Sequence, residues 1–276
     1  MEKAGVEKAD CILERFCLKG KTAIVTGGNT GLGADMALAL AQAGANVIVT
    51  SRSLKRAKDA ARELSEHYGI NSLGLELVQQ EWDSVEQMAG EAASFQGRID
   101  ILVNNAGGGA GLSDGDFAVR DIHAMEEMIA VNLMGVLYCC RAVAGYMIKQ
   151  GRGKIVNIAS VAGMVGRNRI IYKENGRNQQ PVEYAAAKSG VIGMSRDLAA
   201  YLAPYGIHVN SLSPGLFNKG ELSQGFDRDS SKKIPLGHMG HMGGDIMGPV
   251  LFLCSSASDY VTGHNLVVDG GFSIYR

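Results

Sequence analysis

A chain of 276 residues with 27 Lys and Arg against 28 Asp and Glu has a net charge of −1 and no global bias toward nucleic acid or an anionic membrane, so the implied partner is a small molecule. With 46% hydrophobic residues and 37 glycines, nearly twice the usual share of about 7% and without a collagen-like period, it has the material for one large α/β domain with tight turns and close helix contacts. Five cysteines without zinc-type spacing read as free thiols of a reducing compartment, the cytoplasm by default, and neither a secretory signal in Met1 to Asp10 nor an apolar run approaching about 18 residues is expected.

Residues 1–17 read as an N-terminal extension, frayed or docked over about the first 11, ahead of a domain over 18–276. The first strand is Thr22-Ala23-Ile24-Val25, followed by a turn from Thr26 to Gly33 and a helix to about Gln42. Gly27, Gly31 and Gly33 are spaced G-x-x-x-G-x-G, one step different from the dinucleotide fingerprint. Glycine tolerates positive φ and a close ligand, and the first helical turn offers unpaired N–H groups and a positive dipole end, so a diphosphate fits there. The competing reading is an ordinary strand-to-helix connection.

Asn46 to Thr50 is a second, fully buried strand, and its exit carries Ser51 and Arg52 with Lys55 and Arg56 nearby. In a dinucleotide-binding unit this point faces the adenosine ribose, where an acid suits NAD and an arginine suits the 2′-phosphate of NADP. With no acid present, the residues favour NADP over NAD, against the alternative of a solvated basic helix start. A helix over 54–68, a strand over 73–78, a helix from Ser84 to about Phe95 capped by Asp83 or Ser84, and a strand Ile99 to Val103 continue the alternation. The last of these exits into Asn104-Asn105-Ala106-Gly107-Gly108-Gly109.

Glu126 to about Lys149 reads as one long helix with Asn132 in an apolar setting, where it needs partners. Lys154 to Ile158 is the fifth strand, leading to Ser160; Tyr184 to about Leu202 is a helix; His208 to Leu212 is the sixth strand, leaving through Pro214-Gly215; Leu266 to Val268 is the seventh. Ala186, Ala187, Ser189, Gly190 and Gly193 give that last helix a small-residue surface suited to close packing or a subunit contact. Apolar strands alternating with amphipathic helices predict a doubly wound α/β domain, with a parallel sheet covered on both faces and ligands at the carboxyl ends of the strands.

Tyr184 and Lys188 project from one face of their helix, about one turn apart. A phenol near pKa 10 is a poor proton partner at neutral pH, and an adjacent ammonium is expected to lower that value. Ser160 is placed to hydrogen-bond the same substrate oxygen. The bland reading of the Tyr-x-x-x-Lys pair is an exposed surface pair.

Together these residues resemble the short-chain dehydrogenase/reductase family of the classical type, with a single Rossmann-like domain and a seven-stranded parallel sheet. The resemblance covers residues 18–272 and rests on Thr26 to Gly33, Asn104 to Gly107, Asn132, Ser160, Tyr184 with Lys188, and Pro214-Gly215. It implies that Tyr184 is the general acid/base, that Lys188 lowers its pKa and holds the nicotinamide ribose, and that Ser160 positions the substrate carbonyl. Asn132 would support a proton-relay water. Cofactor contacts would come from Gly27, Asn29, Thr30, Gly31, Leu32, Gly33, Ser51, Arg52, Asn104, Ala106, Gly107, Tyr184, Lys188, Pro214 and Gly215. A homotetramer is the family expectation.

The chain departs from the family in three places. Val78-Gln79 stands where an acid usually meets the adenine, and Phe217-Asn218-Lys219 where a threonine often meets the carboxamide. The interval from Ser160 to Tyr184 is also lengthened by an insertion over 167–177, in which Arg167, Arg169, Lys173 and Arg177 face Glu174 alone. These cations could clamp a carboxylate, against the alternative of a solvated loop. A lid over about 216–241 adds Lys219, Arg228, Lys232 and Lys233. Its His238-x-x-His241 lacks a third ligand and reads as lid surface, with no metal expected.

The 11–16 stretch, the turn over 28–33, and the segments 245–250 and 260–263 are similar to the gluconate 5-dehydrogenase and keto-deoxygluconate dehydrogenase group. This implies hydride transfer between a nicotinamide and a secondary alcohol or ketone of a sugar acid or polyol. The alternatives are 3-oxoacyl-[acyl-carrier-protein] reduction and, in another class, a non-catalytic nucleotide-binding regulatory protein.

Overall fold

Runs of four to eight residues become seven strands, and two pairs of residues add two short ones, among the described residues of the computed structural model, which are 11–108, 117–177, 180–218, 220 and 223–275. In chain order they are β1 (Thr22–Val25), β2 (Asn46–Ser51), β3 (Ser72–Glu76), β4 (Ile101–Asn104), β5 (Gly153–Ile158), β6 (Ile207–Pro214), β7 (Phe217–Asn218), β8 (Gly240–His241) and β9 (Asn265–Val268). Seven form one all-parallel sheet in the order β3-β2-β1-β4-β5-β6-β9, while β7 and β8 pair by themselves. The registers Ala23↔Val47 and Ala23↔Ile101 put β1 between β2 and the central strand β4, and the strand order reverses between β1 and β4. A crevice opens at the carboxyl ends of such a switch point.

The helices are α1 (Gly31–Gln42), α2 (Leu54–Tyr68), α3 (Trp82–Gln96), α4 (Ile122–Ile129), α5 (Gly135–Gln150), α6 (Arg169–Glu174), α7 (Val182–Leu202), α8 (Gln224–Ser231) and α9 (Met247–Cys254). Strand side chains alternate between the two sheet faces. Ile24, Ile48, Leu102 and Ile155 meet α3, α5 and α7 through Met88, Val143, Met147 and Val191. Val25, Val49, Val103 and Val156 meet α1 and α9 through Met36, Leu40, Val250 and Leu253. Each large aliphatic side chain buried in this way contributes about 1.5–3 kcal/mol. All five cysteines are free thiols, with Cys139, Cys140 and Cys254 in the core.

The structure changes three details of the sequence reading. The long helix spans 122–150 but contains a π turn at Ala130–Met134, which takes Asn132 out of the regular ladder. By length and composition this 29-residue helix could cross a bilayer, although Glu126, Glu127 and Arg141 interrupt its apolar run; Val136, Cys139, Val143 and Met147 pack into the sheet core. Neither Asp83 nor Ser84 caps α3, which starts at Trp82, because the Ser84 hydroxyl accepts the Val78 N–H and ties down the chain after β3. The insertion forms α6, capped by Asn168 on the Ile170 N–H, and packs on α8 rather than forming a solvated loop. The expectations for Met1 to Asp10, Gly109 and Lys219 fall outside the described residues.

Candidate active site

The turn after β1 and the turn after β4 are tied together by Thr26. Its hydroxyl accepts the N–H groups of Asn105 and Ala106, both at 2.9 Å, and the Asn105 amide donates back to Thr26 O at 3.0 Å. Gly27 and Gly31 have φ of 63° and 57°, which only glycine adopts without strain. A side chain at Gly33 would sit 2.2 Å from Gly27 O, so the helix start lies directly against the turn. Thr30 precedes α1 and makes no side-chain cap, which leaves the first-turn N–H groups to an external anion. Arg52 is exposed at the end of β2, beside Ser51, whose hydroxyl accepts the Ser53 N–H. These features fit a dinucleotide laid across the crevice.

Beyond β4 and β5 the structure brings Asn132, Ser160, Tyr184 and Lys188 together. Ser160 lies just past β5, accepts the Ala162 N–H, and its hydroxyl sits close enough to the Tyr184 hydroxyl to pull that group's pKa down. The turn Val161–Gly163 packs against α7 so closely that a side chain at Gly163 would strike the Lys188 backbone. Lys188 is buried and donates from Nζ to Ile158 O at 2.8 Å. Asn132 donates to Gly108 O and Met128 O and accepts the Gly108 N–H at 2.9 Å. A Cβ on Gly107 would lie 2.6 Å from Asn132 Oδ1 and 3.9 Å from Lys188 Nζ, so these two side chains share one small space.

The electrostatics differ from the sequence expectation. Burial pushes the Tyr184 phenol above its usual value; the Ser160 hydrogen bond and the Arg167 guanidinium only partly offset this, and Tyr172 adds to it. Lys188 was expected to lower that value, but burial dominates and pushes Lys188 itself down to about 8. The cation over the Tyr184 ring is shared: Arg167 and Lys188 each lie 5.7 Å from its centroid. At neutral pH the pair is therefore a phenol beside an ammonium, able to give a proton to an oxygen that is gaining charge.

Other expected residues are placed differently. Asn104 turns its side chain into the core, donating to Asn157 Oδ1 at 2.8 Å, so it does not face the crevice. The reason is register: Asn104 pairs with Asn157 on the buried side of the sheet. Gly27, Asn29, Thr30 and Leu32 lie just past β1, Ala106 and Gly107 just past β4, and Pro214-Gly215 at the end of β6, where Gly215 N–H donates to Val268 O. Arg167 is not a free clamp, since it donates to Gln180 O and Pro181 O just before α7. Arg177 stacks on Phe226 at 4.8 Å, and Arg228 and Lys232 both pair with Asp229. Lys232 and Lys233 line a cleft of about 520 Å³ with Asn168, Ile234, Phe272 and Tyr275.

The roles of four residues escaped the sequence reading. Gln79 does not stand open for adenine; it is buried and donates to Ala106 O and Val131 O, bracing the turn after β4 against the π turn. Arg120 and Glu183 form a buried ion pair at 2.7 Å that pins the start of α7 beside Tyr184. Asp245 lies against His241 in the lid, 3.2 Å from its Nδ1. A buried polar residue inside an otherwise apolar or glycine-rich stretch is the one signal that could have marked Gln79.

A family model described as enoyl-(acyl carrier protein) reductase matches residues 27–273. The 3-oxoacyl-[acyl-carrier-protein] reductase FabG of Aquifex aeolicus is 36% identical over 257 residues, covering 92% of this chain and 98% of that protein. The 2-dehydro-3-deoxy-D-gluconate 5-dehydrogenase of Escherichia coli is 36% identical over 267 residues, covering 95% and 98%. A crystal structure of gluconate 5-dehydrogenase from Burkholderia cenocepacia in complex with NADP and tartrate superposes with a TM-score of 0.86 at 32% identity, covering 96% of this chain and 99% of that one. With this fold, this site and these relatives, the chain belongs to the short-chain dehydrogenase/reductase family and is an NAD(P)-dependent oxidoreductase acting on alcohol and ketone groups.

Proposed function

We propose that the enzyme interconverts a secondary alcohol and a ketone on a sugar acid or polyol, with NADP(H) as its preferred cofactor. The observation that carries the substrate reading is the wall built by the insertion: Tyr172 meets Phe226 edge-on at 5.1 Å and Arg167 stacks on Tyr184. The insertion thus sets a guanidinium beside the tyrosine and packs on the lid helix α8 through Tyr172 and Phe226, and a cation beside the reacting group suits a short anionic substrate better than a long acyl chain. The 2-dehydro-3-deoxy-D-gluconate and gluconate relatives support the same class. Exposed Arg52, with no acid at the end of β2, supports the NADP preference.

In this reading the turn over 27–33 and the open N–H groups of α1 hold the diphosphate, and Arg52 meets the 2′-phosphate. Lys188, whose buried ammonium donates to Ile158 O and to no other acceptor among the described residues, holds the nicotinamide ribose hydroxyls. The nicotinamide supplies the hydride, or accepts it in the reverse direction. Ser160 donates a hydrogen bond to the substrate oxygen, and Tyr184 gives that oxygen its proton on reduction and takes it back on oxidation, an effect typically worth about 10²–10⁴-fold. Asn132 holds the Gly108 backbone at the side of the site and supports a proton-relay water beside Lys188. Pro214-Gly215 borders the nicotinamide.

Residues 18–276 act as one catalytic domain with a lid over 216–241. The enzyme works in the cytoplasm as a homotetramer, with the exposed small residues Ala186, Ser189 and Gly193 on α7 as one subunit contact. The test is turnover with NADPH and NADH against gluconate-type acids, polyols and acetoacetyl thioesters. Turnover of sugar acids or polyols with NADPH supports the proposal. Thioester-only turnover assigns the chain to 3-oxoacyl reduction, the reading the FabG relative favours, and a preference for NADH overturns the role given to Arg52.

A further inference from the structure

The chain returning from the lid to α9 carries three side chains with metal-binding atoms on one bend. The His238 and His241 rings lie 4.8 Å apart, tilted by 35°, and Asp245 Oδ2 accepts the His241 backbone N–H at 2.8 Å. One ligand atom from each residue lies within 4.8 Å of the other two, and among the described residues no other such trio converges. His238 Nδ1 is 2.8 Å from Met239 O; a carbonyl only accepts, so Nδ1 carries the proton and the Nε2 lone pair is left for a ligand.

The bend is braced on three sides. Met239, between the two histidines, is buried with Phe226 and Ile234 in the lid's own core. Gly240 N–H donates to Leu216 O, and Gly243 N–H donates to Asp35 Oδ2 on α1 at 2.8 Å. The backbone is therefore fixed while the ligand-bearing side chains remain exposed.

We propose that His238, His241 and Asp245 bind one divalent transition-metal ion of the Zn²⁺ class. Two imidazoles and one carboxylate suit zinc, cobalt or nickel, whereas magnesium and calcium require more oxygen donors. Tetrahedral zinc places its ligands about 3.4 Å apart, and rotation of the exposed side chains closes the gap from 4.8 Å. The His241 N–H keeps the carboxylate oriented in the manner of an outer-shell partner. Water completes the coordination, and because the trio lies on the lid bend tied to α1, the ion clasps the root of the lid beside the helix that follows the phosphate-binding turn.

The test uses untagged, chelator-stripped full-length protein titrated with Zn²⁺ against a chromophoric chelator, and with Co²⁺ followed by its visible spectrum. The expected result is one equivalent per chain, weakened at least tenfold by His241→Ala and by His238→Ala. Binding should be unchanged in His67→Ala, which removes an exposed histidine on α2. Asp245→Asn keeps the acceptor for the His241 N–H but removes the charge, and should weaken binding without changing metal-free thermal stability. A wild-type protein that binds no stoichiometric Zn²⁺ and gives no imidazole-type Co²⁺ spectrum overturns the proposal, as does equal binding by His241→Ala.

Discussion

Replacing Lys188 by methionine should make the protein more stable and leave it almost inactive. Lys188 is 3% exposed, and burial alone lowers its pKa from 10.5 to about 8. Holding the charge at pH 7 therefore costs about 3 kcal/mol relative to the unfolded chain. Methionine removes that cost and fills a similar volume, but it forfeits the charge-assisted bond to Ile158 O, worth about 1.5–3 kcal/mol. The balance is a gain of about 1 kcal/mol, or about 2–4 °C in melting temperature for a chain of this size.

The sign follows from the depressed pKa. The unfolded lysine binds a proton that the folded one has lost between about 8 and 10.5, so wild-type stability rises with pH across that window. The advantage of the variant should shrink accordingly. Thermal unfolding followed by circular dichroism at pH 7 and at pH 9.5, together with steady-state turnover at pH 7, measures both effects. A variant less stable at pH 7, or an advantage as large at pH 9.5 as at pH 7, would refute the burial argument. Retained turnover would refute the role given to the ammonium.

Gly33→Ala forces a methyl to within 2.2 Å of Gly27 O and 2.4 Å of the Asn105 amide, so the turn must shift. The expected outcome is a loss of about 1–3 kcal/mol in stability together with weakened NADPH binding, read by thermal unfolding and fluorescence titration. Glu183→Ala leaves Arg120 buried and unpaired and should cost about 3–5 kcal/mol, whereas changing both residues to apolar partners should recover most of the loss. Because Tyr184 titrates above its usual value, alcohol oxidation should climb with pH through the alkaline range. Ketone reduction, which uses the protonated phenol, should show no loss from Tyr184 until above pH 10, and initial-rate profiles in both directions check this.

The parts of the fold legible in the sequence are those written in local patterns. The β-branched runs of β1, β2 and β5, the glycines of the first turn and the i, i+4 spacing of Tyr184 and Lys188 each state their geometry within a few residues. What escaped depends on distant partners. Gln79 is explained by Ala106 and Val131, 27 and 52 positions away, and Glu183 by Arg120, 63 positions away. Asp245 follows the His-x-x-His pair closely, but only the bend held by Met239 and Gly243 brings it to His241. The side-chain direction of Asn104 also escaped, because a strand-end asparagine reads the same whichever face of the sheet it takes. The direction of the Tyr184 shift also escaped, since spacing reveals a neighbouring charge but not the depth of burial that outweighs it.

The central claim is that Tyr184 moves the proton in hydride transfer at a site that binds the cofactor without it. Tyr184→Phe removes one hydroxyl from a buried ring, and the measurement is NADPH binding by fluorescence titration alongside turnover of the best substrate from the panel. The account predicts unchanged NADPH affinity with turnover reduced at least about a hundredfold. Turnover close to wild type with intact cofactor binding would contradict it.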